Sequence, residues 1–187
     1  MLDGTSRIKG YLPYLLRDMA IEKPNQVWGI DITYIKINKG YVYLVGIIDL
    51  FSRKIVGWRL SPYLDVRPSK EALENALKNG KPEIVNSDQG CQYTSNEWII
   101  TLESNGIRVS MDGKGRWADN VFIERFWRNI KYECVYLHSF ETVTEVRTIL
   151  KEYIEFYNQR RPHQSLGYKS KLFVSDIHLS ETLDNDV

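Results

Sequence analysis

Three acidic residues stand where a charge is out of place. Asp31 sits inside Trp28-Gly29-Ile30-Asp31-Ile32-Thr33-Tyr34, an apolar and β-branched run. Asp88 ends the short apolar stretch Val85-Asn86-Ser87 and is followed by Gln89-Gly90. Glu124 lies in Ala118-Asp119-Asn120-Val121-Phe122-Ile123-Glu124-Arg125-Phe126-Trp127, which reads as the start of a helix, and 35 residues separate it from Asp88. A charge inside an apolar element is costly unless something pairs with it. Three carboxylates brought to one place would supply the hard oxygen ligands that Mg²⁺ prefers. The residue types therefore point to a divalent-cation site, provided the fold makes the three converge.

The elements that must do so are legible from periodicity. Residues 27–37 carry the β-branched and aromatic pattern of a strand. Asn38-Lys39-Gly40 reads as a hairpin turn, Tyr41 to Leu50 as a second strand, and Ile55 to Leu60 as a third, reached through Phe51-Ser52-Arg53-Lys54. Short connections make these an antiparallel meander. From Arg67 the period becomes helical, with Pro68 in the first turn, Ala72, Leu73, Ala76 and Leu77 on one face, and Gly80 as the stop. Glu83 to Asn86 is a short buried strand entered by a crossover, which puts Asp88 at a carboxyl end, where open α/β sheets place ligands. Ser95 reads as the N-cap of a helix to about Ser104, closed by Asn105-Gly106, and Ile107 to Ser110 as a fifth strand.

A glycine-loosened, basic loop, Asp112-Gly113-Lys114-Gly115-Arg116-Trp117, leads into a helix of about 119–136. Ile123, Phe126, Trp127, Ile130 and Cys134 fall at spacings of three and four and form its buried stripe. Asn120, Glu124, Arg128 and Lys131 form a polar stripe, with Glu124 and Lys131 nearly in line. One helix can thus offer a carboxylate to a metal and a cation to a phosphate. Residues 142–158 make a further amphipathic helix, followed by the basic stretch Asn158 to Gly167.

Composition is that of an ordinary soluble domain: 187 residues, 43% hydrophobic, 26% charged and a net charge of +1. Any basic surface must be local. Two cysteines make no disulfide framework, and the three histidines match no zinc spacing, so the chain reads as reduced and cytoplasmic. No apolar run is of membrane-spanning length, and no signal core opens the chain. The plain readings of the remaining residues are structural. Asp49 caps a turn, Asp119 and Asn120 cap a helix, His163 fixes a turn and Cys134 fills core.

The order strand–strand–strand–helix–strand–helix–strand–helix, with acids at these points, resembles the ribonuclease-H-like α/β fold. That fold has a five-stranded mixed sheet, three antiparallel strands and then two parallel additions, flanked by helices. More narrowly, the chain resembles the catalytic core of retroviral integrases and bacterial insertion-sequence DDE transposases of the two-reading-frame type. The DD(35)E spacing carries the likeness. So do Pro24 to Trp28, Asp31 to Ile35, Asp49 to Arg53, Ser87-Asp88-Gln89-Gly90 with Gln92-Tyr93-Thr94-Ser95, Asp119-Asn120 before Glu124, and Tyr157-Asn158 with Arg161-Pro162-His163.

The resemblance implies a lead-in over 1–26, a catalytic core over 27–168 and a tail over 169–187. It implies two Mg²⁺ or Mn²⁺ ions held by Asp31, Asp88 and Glu124, with 3′-end cleavage and strand transfer of a mobile element. Its partners would be double-stranded DNA, as transposon ends and target, and further copies of the chain on that DNA. Family members carry an upstream helix-turn-helix part, which this chain begins too late to contain; a helix-turn-helix protein from the upstream frame would then be a partner. The site of action would be the cytoplasm, at the nucleoid. Lys131 is the candidate phosphate contact, with Arg128, Arg116 and Lys114 as further positioning charges and Trp117 as a stacking residue or packed loop residue. The competing readings are a catalytically idle remnant that only binds DNA or its own kind, and a ribonuclease-H-like nuclease that cuts without joining.

Overall fold

The computed structural model describes residues 12–112 and 121–161. Strands β1 (Val27–Ile37), β2 (Gly40–Asp49) and β3 (Ile55–Ser61) come first. Helix α1 (Arg67–Leu77), strand β4 (Ile84–Ser87), helix α2 (Asn96–Ser104) and strand β5 (Arg108–Met111) follow. Helix α3 (Val121–Glu133), a 3₁₀ turn (Val135–Leu137) and helix α4 (Val143–Gln159) complete the order. The sheet runs β3-β2-β1-β4-β5. β1 and β3 each pair antiparallel with β2, β4 pairs parallel with β1, and β5 pairs parallel with β4. This is the sheet expected from the sequence.

Alternation along the strands divides the core in two. Trp28, Ile30, Val45, Ile47 and Val85 face the layer of α1 and α2, with Leu73, Trp98 and Leu102. Val27, Ile35, Leu44 and Ile48 face the layer of α3 and α4, with Phe126, Trp127, Leu150 and Tyr157. The buried stripe predicted for α3 is the observed one, Cys134 just past its end included. Gly106, at φ +67°, ends α2 with the paired bonds of a Schellman motif, Ile107 N–H to Leu102 O and Gly106 N–H to Glu103 O.

Two helix ends differ from expectation. α1 stops at Leu77, before Gly80, because Asn79 N–H closes on Ala76 O; Gly80 instead makes room for the Asn25 side chain. α3 ends at Glu133 and not near residue 136. Cys134 leaves helical geometry at φ −134°, and the chain tightens into the 3₁₀ turn. Periodicity alone does not register that break, because Cys134 and Val135 both remain buried across it.

Upstream of β1, Pro13 O accepts from Met111 N–H and Leu15 N–H donates to Ser110 Oγ, so the segment lies along the outer edge of β5. Asp49, 1% exposed, caps the β2–β3 turn as expected. Its carboxylate accepts from Ser52 N–H (2.8 Å), Ser52 Oγ (2.6 Å) and Asn25 N–H (3.0 Å). None of the described helices is long and apolar enough to cross a membrane.

Candidate active site

The site begins where two parallel strands part. β1 is 11 residues long, yet it pairs with β4 only over Val27, Trp28 and Gly29. Asp31 lies two residues past the last pair, and Asp88 directly follows the end of β4. Both line one cleft of about 230 Å³, with Thr33, Tyr34, Gln92 and Tyr93 among its walls. Such a crevice beyond carboxyl strand ends is where open α/β sheets bind ligands.

Local chemistry holds Asp88 at the rim. Its Oδ1 accepts from Gly90 N–H at 2.9 Å, and Tyr93 and Thr94 N–H both close on Gly90 O, so the chain turns at once toward α2. Gln89 Nε2 donates to Asp112 O and Asn86 Nδ2 to Asp112 Oδ1, which ties the ends of β4 and β5 together. Ser95 caps α2 by accepting from Trp98 N–H.

Asp31 is the more constrained acid. Burial pushes its pKa up to about 6. N–H groups of Trp127 and Ile32 pull it down, and the charges of Asp88 and Glu124 push it up again. Asp88 shares the cleft with Asp31, and Glu124 stands on α3 three positions before Trp127, whose indole reaches Asp31. Glu124 is on the exposed side of the first turn of α3, where the helix dipole favours an acid. The donor set is three carboxylates, the hard oxygen chemistry suited to Mg²⁺ or Mn²⁺. As they stand, no three described His, Cys, Asp or Glu side chains are closed around a metal position.

The remaining candidates divide. Lys131 is half-buried, with its ammonium 5.0 Å from the centre of the Tyr34 ring. Both border a second cavity, of about 550 Å³, whose walls include Lys36, Tyr136 and His138. Tyr34 belongs to both cavities, so they are neighbours. Arg128 is exposed and lines a separate depression with Arg125, Tyr132 and Glu133. Lys114, Arg116 and Trp117 lie outside the described residues, as do Asp119, Asn120 and His163.

Sequence reasoning missed three residues here. Trp127 counted only as core, yet its indole Nε1 donates to Asp31 Oδ2 at 2.8 Å. Tyr93, 2% exposed, walls the carboxylate cleft. Burial, with lesser contributions from Asp31 and Asp88, raises its pKa well above the usual value, so the hydroxyl stays protonated. Asp112 is a buried acid that joins two strand ends. A signal for Trp127 did exist. Gly46 interrupts an apolar strand, which marks a close approach.

Residues 21–116 match a family model described as integrase core domain, and residues 105–170 match a second model of that description. A transposase for insertion sequence element IS904 of Lactococcus lactis is 40% identical over 151 residues, covering 79% of this chain and 60% of the relative. The putative transposase InsK for IS150 of Escherichia coli is 35% identical over 150 residues, 79% of this chain and 53% of the relative. The chain thus spans little more than half the length of these curated relatives. Among solved structures, the HTLV-2 integrase catalytic core domain in complex with magnesium aligns with TM-score 0.63 at 19% identity, over 82% of this chain and 97% of that one. A simian T-cell lymphotropic virus intasome chain aligns with TM-score 0.72 at 19% identity, over 88% and 59%. The fold is therefore the ribonuclease-H-like fold of retroviral integrase cores.

Proposed function

We propose that this chain, which belongs to the integrase core domain family, is the catalytic core of a DNA transposase of the insertion-sequence DDE type. In this reading it cuts DNA at the ends of a mobile element and joins the freed 3′ ends to a target. Asp31, Asp88 and Glu124 are its catalytic residues. One observation carries the reading: Asp31 shares its cleft with Asp88, and its Oδ2 accepts from the indole of Trp127, three positions after Glu124 on α3.

Asp31, Asp88 and Glu124 would hold two Mg²⁺ or Mn²⁺ ions. Bound cations would stabilise charge on the attacking and leaving oxygens of a phosphoryl displacement. The chain's own part is to orient and to exclude. Half-burial of Asp31 makes its negative charge costly, so a bound cation would supply the countercharge it lacks. Asp88, on a tight turn, presents a carboxylate at the rim. Lys131 and Tyr34 offer a cation and a ring beside the cleft, suited to a phosphate and a base. Arg128, Lys114, Arg116 and Trp117 would extend that path along double-stranded DNA. Partners would be the element's ends, the target, further copies of the chain and an end-recognising helix-turn-helix part. Its place of work would be DNA in the bacterial cytoplasm. The core would span 27–168.

The test uses the purified chain, Mn²⁺ and a labelled duplex carrying the terminal sequence of the element that encodes it. Nicking or strand joining that Asp88→Asn abolishes would support the reading. Cutting with no joined product would favour a nuclease. A second reading, an idle module, draws on the open arrangement of the acids among the described residues. Metal-dependent chemistry absent even with an end-recognising partner added would select it.

A further inference from the structure

Trp127 does more than its place on the buried stripe of α3 requires. Its indole N–H donates to Asp31 Oδ2 at 2.8 Å. Its ring lies against Gly46, the residue that pairs with Asp31 across β1 and β2. A Cβ at position 46 would stand 2.5 Å from Trp127 Cη2 and 3.2 Å from Cζ2, so no other residue fits without moving the ring. Glu124 is three positions earlier on the same helix, close to one turn away.

These facts fix one another. A buried indole N–H needs an acceptor. The hydrogen bond is charge-assisted, so it holds the carboxylate as firmly as the carboxylate holds the ring. With the Trp127 and Ile32 N–H groups upon it, the carboxylate still has lone pairs to spare, which leaves acceptor capacity for a cation. The ring's depth over Gly46 sets how closely α3 approaches the sheet.

We propose that Trp127 is a positioning residue of the carboxylate cleft. Its N–H fixes the direction of the Asp31 carboxylate, and its ring, seated on Gly46, fixes the distance from α3, and so from Glu124, to that carboxylate. This rests on the reading that Asp31 and Glu124 hold divalent cations. It extends that reading by naming the group that couples the two acids when they are far apart in sequence.

The test uses the full chain labelled with ¹⁵N at tryptophan, with Mg²⁺ and Mn²⁺ as probes and no DNA. Trp127→Phe keeps the ring and deletes the donor. Gly46→Ala keeps the donor and displaces the ring. In the metal-free wild type, the indole signal that Trp127→Phe removes is protected from exchange, shifts in Asp31→Asn, and moves on adding Mg²⁺. Mn²⁺ affinity, read by calorimetry, falls about tenfold in Trp127→Phe, the usual scale for losing a residue that orients a ligand. Gly46→Ala weakens it at least as much. An indole signal indifferent to Asp31→Asn overturns the contact and the proposal. A wild type that binds Mn²⁺ while Trp127→Phe binds it equally well overturns the proposal alone. A wild type that binds no Mn²⁺ sinks the metal reading, and the positioning role with it.

Discussion

The Asn158 side chain pairs with Ile55 as a strand would: its Oδ1 accepts from Ile55 N–H and its Nδ2 donates to Ile55 O, both at 2.9 Å and across 103 positions of sequence. β3 is an edge strand, and a residue near the end of α4 completes its first rung. Tyr157, next to Asn158, packs edge-on against Phe126 of α3 at 4.7 Å between ring centres. The end of α4 thus joins the sheet edge to the helix that bears Glu124.

Asn158→Ala should destabilise the fold by about 1–3 kcal/mol, since it strips two backbone groups of a buried residue of their partner. Urea unfolding would show the loss. A change below about 0.5 kcal/mol would mean that water replaces the amide at no cost.

Asp31 makes stability depend on pH when no divalent cation is present. Its folded pKa, about 6, lies above the ordinary 3.8, so the folded state binds the proton more tightly. This group's contribution is therefore most favourable below about pH 4. It declines as pH rises through 4 to 6 and is flat above that. Asp31→Asn should remove the slope and stabilise the metal-free chain at pH 7 by up to about 3 kcal/mol. Urea unfolding in EDTA from pH 4 to 7 is the check. Equal slopes in both proteins would refute it.

Gly90 bears on Asp88 without bearing much on the fold. A Cβ there would stand 2.9 Å from Asp88 Oδ1 and 3.2 Å from Gln92 Oε1. The carboxylate end must swing away, a cheap movement at an exposed rim. Gly90→Ala should change stability by less than about 1 kcal/mol. Mn²⁺-dependent cleavage of a labelled duplex should fall about tenfold or more, because a small misplacement of a reacting group is costly. Wild-type cleavage rates in Gly90→Ala would show that the position of Asp88 tolerates this shift.

Thr142 and Glu145 form a capping box at the start of α4: Thr142 Oγ1 accepts from Glu145 N–H at 3.2 Å, and the Glu145 carboxylate accepts from Thr142 N–H. Thr142→Ala should cost about 1 kcal/mol. Amide exchange should quicken in the first turn of α4 and stay unchanged in β1. Exchange that quickens equally in both would mean that α4 does not open on its own.

Strand alternation and helical spacing are local, so the sequence by itself determined the elements and their order, while the division of the core into two layers came with the packing of the helices. The three acids were legible for a related reason. Asp31 breaks an apolar run, Asp88 follows a buried strand and Glu124 sits at a helix start, and each anomaly can be seen without coordinates. Whether the acids sense one another was not legible, because that depends on where β4 leaves β1 and how deep α3 settles. Only tertiary structure decided that Trp127 seats on Gly46 and reaches Asp31. It also decided that Asn158 closes the edge of β3 and that α3 breaks at Cys134. These are contacts between residues far apart along the chain, set by shape at an ångström scale, and no period in the sequence encodes them.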